Sequence, residues 1–207
     1  MRTSGILALL CLTAALLSSA GCATVADDYR IPDGAAAERG YTSVAGNVEV
    51  GRSARIGNAK TVAGNIEIGE RSRTGSLSSV AGRIRVGADG KVDGSIKTVA
   101  GDIEVASGCT ITGDVGTVAG RISLLRSEVK GDVTLTSGKL EVSASQIGGT
   151  LRIERADEQD AEDAEVTIGA GSEVAHVVVE KGARVHLRIH RAAKVGPVKG
   201  IAPEYYD

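Results

Sequence analysis

Thr61-Val62-Ala63-Gly64-Asn65-Ile66-Glu67-Ile68-Gly69 is the stretch whose reading decides the fold. Its Val-Ala-Gly core returns around Gly46, Gly82, Gly101 and Gly120, and in degraded form as Thr136-Ser137-Gly138, always 18 or 19 residues apart. A short fixed period marks a chain that stacks one structural unit on the next. Two residues after each glycine stand Val48, Ile66, Ile84, Ile103, Ile122 and Leu140, and four after it Val50, Ile68, Val86, Val105, Leu124 and Val142. Between them lie Glu49, Glu67, Arg85, Glu104, Ser123 and Glu141. This period-two alternation predicts strands with one buried face, and the β-branched bias agrees.

A second glycine recurs at Gly57, Gly75, Gly94, Gly113, Gly131 and Gly149, each followed two residues on by an apolar side chain, from Ala59 and Leu77 to Leu151. No unit has room for a helix. Eighteen residues suit one coil of a three-sided parallel β-helix, a β-solenoid, with coils ~4.8 Å apart. The fold class is therefore all-β, with Ile66, Ile84, Ile103 and Ile122 expected in one buried column. Glycine at the bends is expected to supply positive φ.

Composition agrees. The chain has 207 residues without Trp or Phe, yet 42% are hydrophobic. Low hydrophobicity would be needed for disorder, and a globular core would draw on aromatics, which a narrow solenoid bore cannot hold. The formal net charge of -2 argues against nucleic-acid binding.

The flanks read differently. Arg2, an apolar run from Ile6 to Leu17, and the small residues Ser19-Ala20-Gly21 form a secretion signal over residues 1–21, too short for a comfortable membrane span. Residues 22–42 read as a polar tether, 43–153 as six regular coils, 154–165 as an acidic loop insertion, 166–200 as irregular coils and 201–207 as a capping tail. The insert fits the spacing from Leu140 to Val166, one coil plus about eight residues. It reads as a solvated loop, since it lacks the ligand spacing and glycine of a calcium loop.

Ser19-Ala20-Gly21-Cys22 resembles the lipobox of bacterial lipoproteins, with Ser19 where that family usually has Leu. The resemblance implies that Cys22 is lipidated with fatty acid such as palmitate and begins the mature protein. Ala23 rather than Asp after it resembles outer-membrane sorting, hence a cell-envelope location facing the periplasm. The alternative is ordinary cleavage near Ala20, with Cys22 incidental. Cys109 would then be the single free thiol of the mature rod, read as a small corner residue rather than a nucleophile, because no histidine is near it in sequence.

The repeats also look like bactofilins, in stretches such as Ile84-Arg85-Val86-Gly87-Ala88-Asp89-Gly90-Lys91-Val92-Asp93-Gly94-Ser95-Ile96 and Val129-Lys130-Gly131-Asp132-Val133. The likeness covers residues 43–153 and, more loosely, 166–196. Bactofilins form polymers from a right-handed three-sided β-helix; the likeness implies such a fold and a structural role, without implying that this chain forms filaments. Bactofilins typically lack a lipobox, which sets this chain apart from them.

Function is expected to be non-enzymatic: a structural or scaffolding envelope lipoprotein, with no catalytic residue, metal or cofactor. The alternatives are a surface adhesin or polysaccharide-binding solenoid, and a bactofilin-type cytoskeletal polymer. His186 and His190 flank Arg188 and read as a basic outer face rather than a zinc site. Glu49 and Glu67 would stack as a like-charge pair, not a catalytic dyad. Ser43, Thr61, Ser79, Thr98 and Thr117, with Ala45, Ala63, Ala81, Ala100 and Ala119, form a column of small residues read as a flat partner-docking face, open to a second copy in a small homo-oligomer or to an envelope protein or polysaccharide. Arg55 and Arg73, standing two residues before the second glycine where later coils have Val92 and Ile111, read as charges that discourage end-to-end pairing. Tyr41 with the tether at one end, and Pro197, Pro203, Tyr205 and Tyr206 at the other, are expected to cap the rod.

Overall fold

A computed structural model of the chain describes residues 27–156 and 163–207, and the backbone of Cys22–Thr24. The expected signal at residues 1–21 and most of the acidic insert lie outside the described residues. Every strand pairing is parallel, no helix occurs among the described residues, and the strands stack as a β-solenoid of about nine turns.

The coil has three sides because its apolar positions fall in three groups. The first sheet starts at Cys22–Thr24 and runs through Tyr41–Ser43, Ala59–Ala63, Leu77–Ala81 and Ile96–Ala100. The second holds Tyr29–Ile31, Val48–Val50, Ile66–Ile68, Ile84–Val86 and Ile103–Val105. The third holds Ala36–Ala37, Arg55–Ile56, Arg73–Thr74, Lys91–Val92 and Thr110–Ile111. Partners in register are 18 or 19 residues apart throughout this part, as in Ala59 with Leu77 and Leu77 with Ile96.

The core is a set of aliphatic columns. Ile66, Ile84, Ile103 and Ile122 stack in register with no exposed surface. Burying each such side chain contributes roughly 1.5–3 kcal/mol, and only stacked neighbours make that burial complete.

Polar ladders hold the corners. Asn47 Oδ1 accepts the Asn65 amide at 2.9 Å, and Asn65 Oδ1 accepts the Arg83 amide at 2.9 Å. Asp102 continues the ladder to Arg121 at 3.0 Å. A second corner runs from Asn58 to Ser76, then through Ser95 and Asp114 to Asp132. These side chains accept backbone N–H groups that the bend removes from the sheet ladder.

The glycines serve clearance more than backbone freedom. A Cβ on Gly101 would drive into the carbonyl oxygen of Gly82 one coil back, and one on Gly94 would drive into Ser76 Oγ of the corner ladder. Positive φ belongs mainly to another corner, where Ser53, Arg71, Asp89, Gly108, Arg126, Ala144 and Gly171 stack with φ between 43° and 78°. Five of these seven are not glycine. The next residue in each coil points inward and is small: Ala54, Ser72, Gly90, Cys109, Ser127, Ser145 and Ser172.

Four expectations need correction. Residues 29–42 are not a tether: Tyr29–Ile31 pairs with Val48–Val50 and Ala36–Ala37 with Arg55–Ile56, so they complete a coil. Tyr41 is 5% exposed inside this coil rather than laid over its end. Arg55 and Arg73 stack with Lys91 on the outside, while Ile56, Thr74 and Val92 fill the bore. Later coils have one more residue in that turn, so equal distance from the glycine does not mean the same register position. The tail is a further rung, with Arg188 opposite Glu204 and His190 opposite Tyr206.

The acidic insert leaves at the corner between Gln146–Ile153 and Ala164–Ile168. Leu140 still pairs with Val166 across it, so the solenoid continues without a break. Two more coils follow, with Val177 opposite Val198 and Ile168 opposite Ile189.

Candidate functional site

The first sheet carries the face expected to dock a partner, and its chemistry differs from the expectation. Ser43, Thr61, Ser79, Thr98 and Thr117 are 1–5% exposed. Their strands run straight through this position, so alternation turns the hydroxyls into the bore. There they bond the coil below. Thr61 Oγ1 donates to the Gly46 carbonyl at 3.1 Å, Ser79 Oγ to Gly64 at 3.2 Å and Thr117 Oγ1 to Gly101 at 3.4 Å. Thr98 Oγ1 alone in the column has no partner.

The residue between hydroxyl and alanine therefore faces outward. Val44, Val62, Val80, Val99 and Val118 each keep 46–49% of their surface exposed. Ala45, Ala63, Ala81, Ala100 and Ala119 lie exposed beside them, four of the five linked in register by Ala63 with Ala81, Ala81 with Ala100 and Ala100 with Ala119. The result is a double ladder of Val and Ala about 19 Å long at ~4.8 Å per rung. Alternation turns each valine out after the inward hydroxyl, and it breaks at the alanine, which is exposed too at the end of the strand.

Two strand positions before the valines, the outward row reads Thr42, Lys60, Ser78, Lys97 and Gly116. Lys60 and Lys97 are exposed and make no ion pair with a described residue. The valine row ends at Thr136 and then Glu154, which meet at 3.5 Å.

Cys22 occupies the first rung of this same sheet, paired with Tyr41. Its side chain lies outside the described residues. Thr24-Val25-Ala26-Asp27 is a further copy of the repeated phrase, with Asp27 in the glycine position. Ser43 Oγ donates to the Asp27 carbonyl at 3.3 Å, as Thr61 does to Gly46. Glycine spacing does not reveal this copy, because Asp27 stands in the glycine position.

The second sheet carries an ion ladder. Arg30 bonds Glu49 at 2.7 Å and Arg85 bonds Glu104 at 2.6 Å. Glu49 and Glu67 do stack, but Arg30 and Arg85 stand on either side of the pair. Farther along, Lys139 lies 3.1 Å from Glu141 and 3.4 Å from Glu165, and the hydrogen bond to Glu141 raises its pKa. Such exposed pairs add little each and order the surface.

Cys109 is buried, and its thiol donates to the Gly87 carbonyl at 3.1 Å. Burial pushes its pKa above the usual thiol range. Ser72 and Ser172, its equivalents in other coils, donate to Gly51 and Val142 in the same manner. His190 Nδ1 accepts the Ala192 amide at 3.0 Å and its ring meets Tyr206 edge-on, while His186 lies 3.7 Å from Asp163. His176 is exposed on the first sheet beside Thr150. Among the described residues no group of three or more potential metal ligands forms.

Comparison with protein-family models, curated proteins and solved structures finds no match to this chain.

Proposed function

We propose that this protein is a structural lipoprotein of the bacterial cell envelope, a short rigid rod held to a membrane through lipid on Cys22. The observation that carries the reading is the coincidence of two features at one residue. The lipobox-like Ser19-Ala20-Gly21-Cys22 ends where the first rung begins, since Cys22 already pairs with Tyr41. A signal sequence running directly into a solenoid suits a rod whose length and stiffness are its use, a spacer or platform. Parallel sheets closed on three sides resist bending better than a chain with a flexible neck.

Fractionation with fatty-acid labelling tests the anchor. The wild-type chain should carry labelled fatty acid and sediment with membranes, and Cys22→Ser should be unlabelled and soluble. An unlabelled, soluble wild-type protein contradicts the reading.

A polymer-forming role is the second reading, favoured by the open end. Among the described residues, Tyr29–Ile31 and Ala36–Ala37 each pair on one side only. Unpaired edges are templates for further strands. Sedimentation velocity over a concentration series separates the two: a single small species supports the discrete rod, and growth to large species supports the polymer.

A further inference from the structure

The Val-Ala ladder is an apolar surface that the solenoid itself leaves uncovered. We propose that this face of the first sheet rests on an anionic lipid bilayer, with Val44, Val62, Val80, Val99 and Val118 in the interfacial zone and Lys60 and Lys97 on lipid headgroups. This rests on the anchored-rod reading.

Charge favours a bilayer over a second copy. The outward rows across these rungs hold two cations, Lys60 and Lys97, and no acid. Two copies packed ladder to ladder would bring these lysines to a face that offers them no carboxylate. An anionic membrane surface attracts each of them by about 1 kcal/mol. Apolar contact and basic residues together are the combination that holds proteins at an interface.

Position points the same way. Cys22 begins the sheet that bears the ladder, in register with Tyr41 of the inward row, so an acyl anchor there holds the amino end of this sheet at the bilayer with no linker between them. The apolar rows occupy only the rungs near that end. Past Val118 the row becomes Thr136 and Glu154, and the acidic insert follows in the chain. An anionic surface would repel that far end, so the rod makes contact along its anchored half.

The chain has no Trp, so one introduced indole reports alone. The test uses the full lipidated chain in vesicles of phosphatidylglycerol with brominated acyl chains. Val99→Trp is compared with Gln146→Trp, an exposed position on the third sheet. Bromine should quench the indole at position 99 about twofold or more over that at 146, as expected for a residue at the interface. Adding Lys60→Glu and Lys97→Glu should reduce the difference. Equal quenching at both positions overturns the proposal. So does cross-linking of copies through Val99→Cys in place of lipid quenching, which assigns the face to a second copy. A chain that fails to float with vesicles at all contradicts the anchor, and the face proposal falls with it.

Discussion

At the scale of single residues, two threonines in the same column should behave in opposite ways. Thr61 donates to the Gly46 carbonyl, whereas Thr98 is buried without a partner. Thr61→Val removes a donor and leaves a buried carbonyl short, at a cost of about 1 kcal/mol. Thr98→Val replaces an orphaned hydroxyl with a methyl of the same shape and should be neutral or stabilising by up to about 1 kcal/mol. Urea unfolding of both variants checks the pair, and equal losses would contradict the hydrogen-bond assignment. Cys109 offers a second residue-level test. Its burial and raised pKa keep the thiol protonated and covered near neutral pH. A thiol reagent should therefore label it only after unfolding, because thiolate and access are both required. Rapid labelling of the folded chain at pH 7 would restore it as a reactive group.

At the scale of the repeated element, glycine is explained by what lies one coil away. Gly101→Ala should cost more than about 2 kcal/mol, because its Cβ meets the Gly82 backbone, which cannot rotate aside. Ala144→Gly, at a positive-φ corner with φ 48°, should be tolerated within about 0.5 kcal/mol, since it relieves a left-handed alanine while loosening the unfolded chain. Thermal melts of the two variants compare clearance with φ directly. The same contrast explains what could be read in the chain beforehand. Alternation around each glycine gave the buried columns of the first and second sheets, because burial is periodic and periodicity is visible in a sequence. The direction of the Ser/Thr column was not legible, because it depends on whether a strand ends before or after that residue. The left-handed corner escaped notice because it is built from Ser53, Arg71, Asp89, Arg126 and Ala144, residues that do not advertise positive φ. The first coil was missed because Asp27 stands where the repeat has glycine.

At the scale of the whole molecule, the proposed anchor matters through where the rod begins, at Cys22 paired with Tyr41. A rod on a flexible neck would sway at the membrane, whereas a rod whose first rung holds the anchor is fixed in height and direction. Between Cys22 and Tyr41 the trypsin sites are Arg30 and Arg39. Arg30 lies in the strand that pairs with Val48–Val50, and Arg39 stacks on Tyr41, with its guanidinium 5.4 Å from the ring centroid. Proteases need several residues of locally unfolded chain, so backbone paired in a sheet resists them. The direct measurement is limited trypsin digestion of the membrane-bound protein, followed by separation of membranes from the soluble fraction. The rod should stay with the membrane, held together by its paired rungs. Early release of a soluble fragment starting at Ile31 or Gly40 would contradict a solenoid that begins at Cys22.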